Sequence, residues 1–231
     1  MAGFQFKQFS IAQCSTAMKV STDGIMLGAW ADVSGAMRIL DVGTGTGLLA
    51  LMCKQRQPKA IVEAIDIEQD AYQQARDNIK HSPWPDICVE HVDALNYQNN
   101  QSFDLIITNP PYFDDALKAK DSKRNLARHT DSLGFADLIA LWQRVGSANC
   151  EMAVILPTEQ AQKFTQLACL EGAYLKRLCE VKTTPSKAVS RWLMQFSWQP
   201  CDCDKQQLVI HAGADYSQQY QRLCKEFYLR F

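Results

Sequence analysis

The chain has 231 residues, of which 47% are hydrophobic and 10% aromatic, and its formal net charge is −1. This length and composition predict one α/β domain over residues 1–231 with a full hydrophobic core. The near-neutral total excludes a uniformly basic nucleic-acid-binding protein. The charges are unevenly spread, however, because residues 60–104 hold nine acids and two bases whereas residues 105–198 hold twelve bases and nine acids. A basic face can therefore exist despite the neutral sum.

The cysteines and histidines indicate reduced thiols rather than a metal centre. Nine cysteines are scattered along the chain without a CxxC pair, and the four histidines lack metal-ligand spacing. This pattern is typical of a cytoplasmic protein whose thiols fill its core, with no metal. The first residues lack the apolar segment of a signal peptide, and no apolar run reaches 18 residues, so we expect no membrane contact. No obligate protein partner is evident.

Short apolar segments alternate with amphipathic ones from residue 38 onward, after an N-terminal extension (1–37) that is expected to cover the ligand-binding side. Strands separated by helices imply parallel βαβ units, whereas the last strands lack a strong helix between them. We therefore expect an α/β, Rossmann-like fold with a mostly parallel sheet of about seven strands, helices on both faces and an antiparallel C-terminal finish. Strands are predicted at residues 38–42, 60–65, 87–92, 103–108, 151–156, 175–181 and 191–198, with a short one at 208–211, and helices at 47–56, 68–80, 132–148 and 158–171.

A dense block at residues 17–30 precedes the first predicted strand of the sheet. Asp23-Gly24 is predicted to be a turn, and residues 25–30 the start of an apolar helix. The block can be a lid over a bound ligand, with Thr22 and Asp23 as candidate contacts. It can equally be a helix cap followed by core packing.

The first predicted strand of the sheet runs into a glycine-rich turn with the pattern G-x-G-x-G. Gly43, Gly45 and Gly47 permit unusual backbone dihedral angles and let a ligand lie close to the backbone. Asp41 closes the strand, where its carboxylate can attract a cationic amino group, directly or through water. A tight strand-to-helix connection without a ligand is the alternative.

Two further acids follow the next two predicted strands. Asp66 lies about 20 residues after the glycine turn, at the position where an acid grips ribose hydroxyls. Glu68 could share or replace that role. Asp93 is placed to meet an adenine amine, although a loop or helix-cap role would also explain it. Together these residues predict a site for an adenosine-containing cofactor.

The most informative motif is Asn109-Pro110-Pro111-Tyr112, directly after the apolar strand 103–108. The Asn109 side-chain oxygen and the Pro110 carbonyl can accept hydrogen bonds from a planar NH2 group, and the Tyr112 ring can stack on the flat group that bears it. Such a pocket suits an amide or the exocyclic amine of a nucleobase. A turn of rigid prolines is the structural alternative.

The glycine turn, the two acids and the NPPY motif together resemble the class I S-adenosylmethionine-dependent methyltransferases that modify exocyclic amines and amides. The blocks FKQF, AMKVSTDGIMLGAW, DVGTGTGLLALM and NPPYF resemble more narrowly the bacterial tRNA1(Val) (adenine37-N6)-methyltransferase family, over nearly the whole chain. The resemblance implies a class I methyltransferase fold, S-adenosylmethionine as cofactor, and N6-methylation of adenosine 37 beside the anticodon of that tRNA. Thr22 and Asp23 would then cover the methionine end of the cofactor.

Other functions remain open on sequence grounds. A protein-glutamine N5-methyltransferase acting on a release factor needs the same NPPY motif, although such enzymes usually carry a larger N-terminal helical domain. A DNA-adenine methyltransferase usually has a target-recognition domain, for which no segment is evident. A noncatalytic scaffold that binds cofactor or RNA is disfavoured by the intact Asn109 and glycine turn, and a nicotinamide dehydrogenase by the glycine spacing.

Two basic segments are candidates for contact with tRNA phosphates. One is a long polar loop at residues 113–130, and the other is a hairpin-like loop at residues 182–187. Either loop could instead be merely solvated. The candidate RNA-binding residues are Lys118, Lys120, Lys123, Arg124, Arg128, Lys182 and Lys187.

Overall fold

The computed structural model describes residues 3–13, 20–111 and 133–231. Its centre is an eight-stranded sheet, accompanied by two short hairpins. The described strands are β1 Gly3–Gln5, β2 Ser10–Ala12, β3 Arg38–Val42, β4 Ile61–Asp66, β5 Cys88–His91, β6 Phe103–Thr108, β7 Gly146–Pro157, β8 Tyr174–Lys182, β9 Val189–Ser197, β10 Asp204–Val209, β11 His211–Ala212 and β12 Asp215–Tyr216. The described helices are α1 Thr22–Trp30, α2 Leu48–Arg56, α3 Gln69–Lys80, α4 Phe135–Val145, α5 Thr158–Leu170 and α6 Gln218–Cys224.

The strands of the sheet lie in the order β10-β8-β9-β7-β6-β3-β4-β5. Strands β3 to β7 are parallel to one another, whereas β9 runs antiparallel to both β7 and β8. The predicted mostly parallel sheet with an antiparallel finish is thus confirmed. An eighth strand, β10, lies parallel to β8 at the edge, where about seven strands were expected. It spans Asp204–Val209, so it is longer than the strand predicted at 208–211 and begins four residues earlier.

Helices cover both faces of the sheet because its strands are apolar on both sides. One cluster of buried side chains, which includes Ile39 and Ile107, joins one face to α1, α2, α3 and α6. A second cluster, which includes Leu40 and Ile106, joins the other face to α4 and α5. Successive strand residues point to opposite faces, which is why continuous apolar runs suit a sheet that is covered twice.

The helix predicted at 132–148 is wrong at its C-terminal end. Helix α4 stops at Val145, and Gly146 already begins β7 with extended backbone (φ −79°, ψ 149°). A Cβ at Gly146 would lie 2.6 Å from the Trp142 carbonyl oxygen. A glycine therefore permits the abrupt exit from the helix, and β7 starts well before the predicted residue 151.

Local predictions near the two ends of the chain also need correction. Asp23 and Gly24 lie in the first turn of α1, not in a separate turn, because the Ser21 hydroxyl caps this helix by accepting from the Gly24 N–H (3.1 Å). No pattern predicted α6, which is only seven residues long. It begins after Ser217, whose hydroxyl accepts from the Tyr220 N–H (3.1 Å).

The eight cysteines among the described residues are free thiols. Half of them are buried, as expected of thiols that fill the core. Burial raises the pKa of these buried thiols to about 12, so they stay protonated and serve as packing groups at neutral pH. They are Cys53, Cys150, Cys179 and Cys224.

Candidate active site

The predicted site residues follow strands whose carboxyl ends lie at one edge of the sheet. The strands β5, β4, β3 and β6 are neighbours and are parallel. Because parallel strands end at the same edge, Asp93, Asp66, the glycine turn and Asn109 are brought to that edge in this order. The Thr108 hydroxyl donates to the Val42 carbonyl (2.8 Å) and joins the end of β6 to the start of the glycine turn.

The glycine turn is an open cradle of backbone. Gly43, Gly45 and Gly47 have φ of 68°, 58° and 83°, the left-handed region that glycine adopts without strain. A Cβ built on Gly43 or Gly45 would meet no atom within 4 Å, whereas one on Gly47 would lie 3.5 Å from Ala75 Cα of α3. Gly47 therefore serves packing, while the first two glycines leave room for a ligand against the backbone.

Asp66 and Asp93 both support local backbone. The Asp66 carboxylate accepts from the Gly45 N–H (2.8 Å) with one oxygen and from the Glu68 N–H (2.9 Å) with the other. It thereby fixes the cradle, and each carboxylate oxygen keeps a second lone pair for a ligand. Asp93 is half-buried and accepts from the Leu95 N–H (2.9 Å), which is the turn role that the sequence left open. Glu68 is exposed before α3.

Asp41 is completely buried beneath the turn. One carboxylate oxygen accepts from the Thr44 hydroxyl (2.6 Å) and from the Ala50 N–H (3.1 Å). The other oxygen, Oδ1, is buried without a hydrogen-bond partner among the described residues. Desolvation raises the pKa of Asp41 from 3.8 to about 7, against the lowering effect of its two donors. An unpaired buried oxygen of this kind suits a cationic ligand group or a water beside it.

Asn109 lies at the tip of β6, next to α1. The residue is half-buried, and a Cβ on Gly24 of α1 would lie 3.8 Å from the Asn109 side-chain nitrogen. Pro110 is buried and Pro111 exposed. Tyr112, the predicted stacking ring, lies outside the described residues.

An ion pair ties the N-terminus of α1 to strand β9. Asp23 accepts from the Arg191 side chain of β9 (2.8 Å), and both side chains are largely shielded, with 18% and 31% of their surface exposed. Thr22, by contrast, is exposed. Asp23 thus has a structural partner that the sequence did not indicate, and contact of either residue with a cofactor stays a prediction.

One cleft lies between the glycine turn, α1 and Asn109, with an empty volume of about 360 Å³. This volume includes space that is open to solvent. Of the predicted residues, Gly43, Gly45 and Asn109 line it; Asp66 and Asp41 support it from behind. The remaining lining residues were not predicted as ligand contacts, although Ser21 could have been recognised as the helix cap. They are Val20, Ser21, Gly24, Thr44, Thr46, Leu48 and Leu49.

The basic loop after β8 lies at the same edge of the sheet. β8 ends at Lys182 and pairs there with the start of β9, which in turn lies beside the end of β7. Lys182 is half-buried and Lys187 is exposed. The other basic candidates, Lys118 to Arg128, lie outside the described residues.

Within residues 3–13, 20–111 and 133–231, no three His, Cys, Asp or Glu side chains come together as a metal site. No helix in this described part is both long and apolar enough to cross a bilayer.

Comparison with solved structures supports the fold. A predicted O-methyltransferase from Agrobacterium tumefaciens aligns with a TM-score of 0.66 over 89% of this chain and 96% of its own, at 19% identity. A methyltransferase from Pyrococcus furiosus aligns with a TM-score of 0.62 over 82% of this chain and 89% of its own, at 16% identity. These likenesses confirm the class I methyltransferase fold.

Comparison of sequences is more specific. The family model "Methyltransferase small domain" matches residues 26–132. Proteins named tRNA1(Val) (adenine(37)-N6)-methyltransferase are 48% identical in Pseudoalteromonas translucida, over 100% of both chains, and 45% identical in Vibrio parahaemolyticus, over 99% of this chain and 96% of the relative. A relative of the same name from Bacteroides fragilis is 40% identical over 98% of both chains. With such identity over its whole length, and with the glycine cradle and Asn109 at one cleft, the chain belongs to the tRNA1(Val) (adenine(37)-N6)-methyltransferase family.

Proposed function

We propose that the protein methylates N6 of adenosine 37 in tRNA1(Val), with S-adenosylmethionine as the methyl donor. The observation that carries this proposal is the cleft in which Asn109 faces the open glycine cradle next to α1. The names of the full-length relatives support tRNA rather than a release factor as the substrate.

The residues of the cradle suit the parts of S-adenosylmethionine. Asp66 would accept from the ribose hydroxyls with its spare lone pairs, and Asp93, which follows the neighbouring strand β5, would meet the adenine. The α2 N-terminus has no side-chain cap, so its backbone N–H groups would hold the donor's carboxylate. Asp41 Oδ1 would favour the cationic amino group. When bound, the donor supplies an electrophilic methyl group on a sulfonium.

The acceptor clamp would orient the adenine amine. The lone pair of this amine is delocalised into the ring, so the nitrogen is a poor nucleophile. Hydrogen bonds from its two N–H groups to the Asn109 oxygen and the Pro110 carbonyl would hold it at the tip of β6, and Tyr112 would stack on the ring. No strong base is needed beforehand, because the N–H becomes acidic only once the nitrogen is alkylated. Accordingly, no His or Glu is among the described residues that line the cleft.

The target base must leave its stack to reach this clamp, which costs less in a single-stranded loop than in a duplex. Lys182 and Lys187 are at the correct edge of the sheet to contact the adjoining phosphates. The basic residues between Lys118 and Arg128 are proposed for the same role on sequence grounds.

The test is transfer of a labelled methyl group from S-adenosylmethionine to unmodified tRNA1(Val). We expect labelling of this tRNA, N6-methyladenosine in its nucleoside digest, and no labelling of a matched transcript with guanosine at position 37. A release-factor peptide and a DNA duplex should remain unlabelled. Equal labelling of the peptide, or undiminished labelling of the guanosine transcript, would reject the assignment.

A further inference from the structure

Three aromatic rings form a ladder beside the edge strand β10. His211 stacks on Tyr216, with ring centroids 5.0 Å apart and planes 19° apart, and Tyr216 stacks on Tyr220 at 4.7 Å and 14°. Tyr220 is fully buried, whereas Tyr216 and His211 are half-buried. Within the described residues, Tyr216 is the one ring that stacks on His211. The ladder therefore starts in the core and ends at the surface on His211.

The ladder is held rigidly. His211 and Tyr216 are paired residues of the β11–β12 hairpin. The inner end is fixed because the Tyr220 and Tyr228 hydroxyls are hydrogen-bonded at 3.0 Å. The Ser217 N–H also donates to the Ile210 carbonyl (2.8 Å) and closes the base of the hairpin. A ring fixed in this way loses little conformational freedom when another flat group stacks on it.

The hairpin is joined directly to the basic loop at residues 182–187. The Ile210 N–H donates to the Lys182 carbonyl, and the His211 N–H donates to the Thr183 carbonyl, both at 2.9 Å. The outer ring of the ladder is thus fixed beside the start of the basic loop, at Lys182 and Thr183. Asp215 is the acid of the hairpin, and it precedes Tyr216 on a strand, so its side chain points to the opposite face.

The hairpin also lies at the carboxyl ends of the parallel strands, which is the end of the sheet that carries the cleft. β10 ends at Val209 beside Lys182, the last residue of β8. From β6 to β10 there are four strand-to-strand steps, or about 19 Å along the edge at the usual strand spacing. That distance corresponds to roughly five or six stacked nucleotides.

We propose that His211 is a stacking platform for an unpaired base of the RNA substrate, several nucleotides away from the base that enters the cleft. The ring takes the base and the neighbouring loop takes its phosphate, a combination of stacking and charge that binds single strands with little sequence preference. The inference rests on the proposed function and adds to it a second contact point on the RNA.

The experiment measures equilibrium binding of unmodified tRNA1(Val) to the full chain in the presence of S-adenosylhomocysteine. His211→Ala should weaken this binding roughly fivefold or more, as loss of one base stack does, and should raise KM for tRNA more than it lowers kcat. His211→Phe should restore binding, because a phenyl ring stacks without the imidazole's hydrogen bonds. Binding of S-adenosylhomocysteine itself should not change in either variant.

The matched control is His81→Ala, because His81 is exposed after α3 at the opposite edge of the sheet. It should bind tRNA like the wild type. The proposed stacking role of His211 is contradicted if His211→Ala binds tRNA as tightly as His81→Ala does. It is also contradicted if His211→Phe binds tRNA as weakly as His211→Ala does. Since wild-type methylation of the same tRNA is measured alongside, loss of the platform leaves the proposed function standing, whereas absence of wild-type methylation overturns that function separately.

Discussion

Asn109 is the side chain on which the proposed chemistry depends, since it lines the cleft at the tip of β6. Asn109→Ala removes an acceptor that is proposed to bind the reacting amine, so we expect kcat to fall roughly 10²- to 10³-fold. The affinity for S-adenosylhomocysteine should stay close to that of the wild type in calorimetry. Asn149→Ala, at an exposed position of β7, is the control and should keep full activity. A wild-type rate for Asn109→Ala would remove the clamp from the mechanism.

Asp66 and Glu68 are alternative candidates for the side chain that binds the ribose hydroxyls. The structure shows that their surroundings differ. Asp66 is buried behind the cradle and holds Gly45, whereas Glu68 is exposed. Asp66→Asn should therefore weaken binding of S-adenosylhomocysteine roughly tenfold or more, because hydrogen bonds to a charged group are among the strong ones. Glu68→Gln should change it little. If calorimetry gave the reverse ranking, Glu68 would be the ribose ligand.

The buried carboxyl of Asp41 should make the stability of the protein depend on pH. Its pKa is raised from 3.8 to about 7 in the folded protein, so the folded state binds a proton that the unfolded state releases. The stability that this carboxyl contributes is complete below about pH 4 and is lost as the pH rises to about 7, an effect on the order of 4 kcal/mol at full burial. Asp41→Asn keeps an acceptor for Thr44 and Ala50 but does not titrate.

The measurement is urea unfolding of both proteins without ligand between pH 5 and 8. The free energy of unfolding of the wild type should fall relative to Asp41→Asn across this range. S-adenosylhomocysteine should bind more weakly to Asp41→Asn at pH 8, because the cationic amino group loses its counter-charge. Parallel stability curves for the two proteins would contradict the raised pKa.

At the scale of elements, α1 depends on a distant strand. Asp23 and Arg191 are 168 residues apart in sequence, and their ion pair fixes the N-terminus of α1 beside the cleft. A double-mutant cycle with Asp23→Asn and Arg191→Gln should give a coupling free energy of about 1 kcal/mol in urea unfolding, since 18% and 31% of the two side-chain surfaces remain exposed to solvent. The exposed Lys225–Glu226 pair, at 3.8 Å, should show no measurable coupling. Equal coupling in the two cycles would mean that the Asp23 pair does not hold α1.

Element prediction succeeded where local pattern and tertiary context agree. β3, β4 and β6 are apolar runs buried on both faces, and the acids and amide that follow them were located because parallel strands share a carboxyl edge. The C-terminal end of α4 was predicted three residues too late, at residue 148. Its last apolar residue at helical spacing is Val145, and the glycine that follows, Gly146, is the stop signal that the prediction overlooked. The partner of Asp23 could not be found from sequence, because no local pattern encodes a contact with β9.

At the scale of the whole molecule, the two halves of the sheet differ in charge. Residues 60–104, which include β4, α3, β5 and the first two residues of β6, hold nine acids and two bases, whereas residues 105–198 hold twelve bases and nine acids. The acidic half carries Asp66 and Asp93, which are proposed to bind the cofactor, and would repel phosphates. We therefore expect RNA to approach over β7, β9 and β8, where Lys182 and Lys187 lie.

This expectation can be tested with two charge reversals that change the net charge equally. Lys187→Glu, at the edge that carries the cleft, should weaken tRNA binding and lower the slope of log K against log salt concentration by about 1, as loss of one phosphate contact does. Lys59→Glu is the control, because Lys59 is exposed between α2 and β4 at the opposite edge. It should leave affinity and slope near those of the wild type, and neither change should affect S-adenosylhomocysteine. If both reversals weakened tRNA binding equally, the total charge rather than this edge would govern the encounter, and the basic loop would have no specific role.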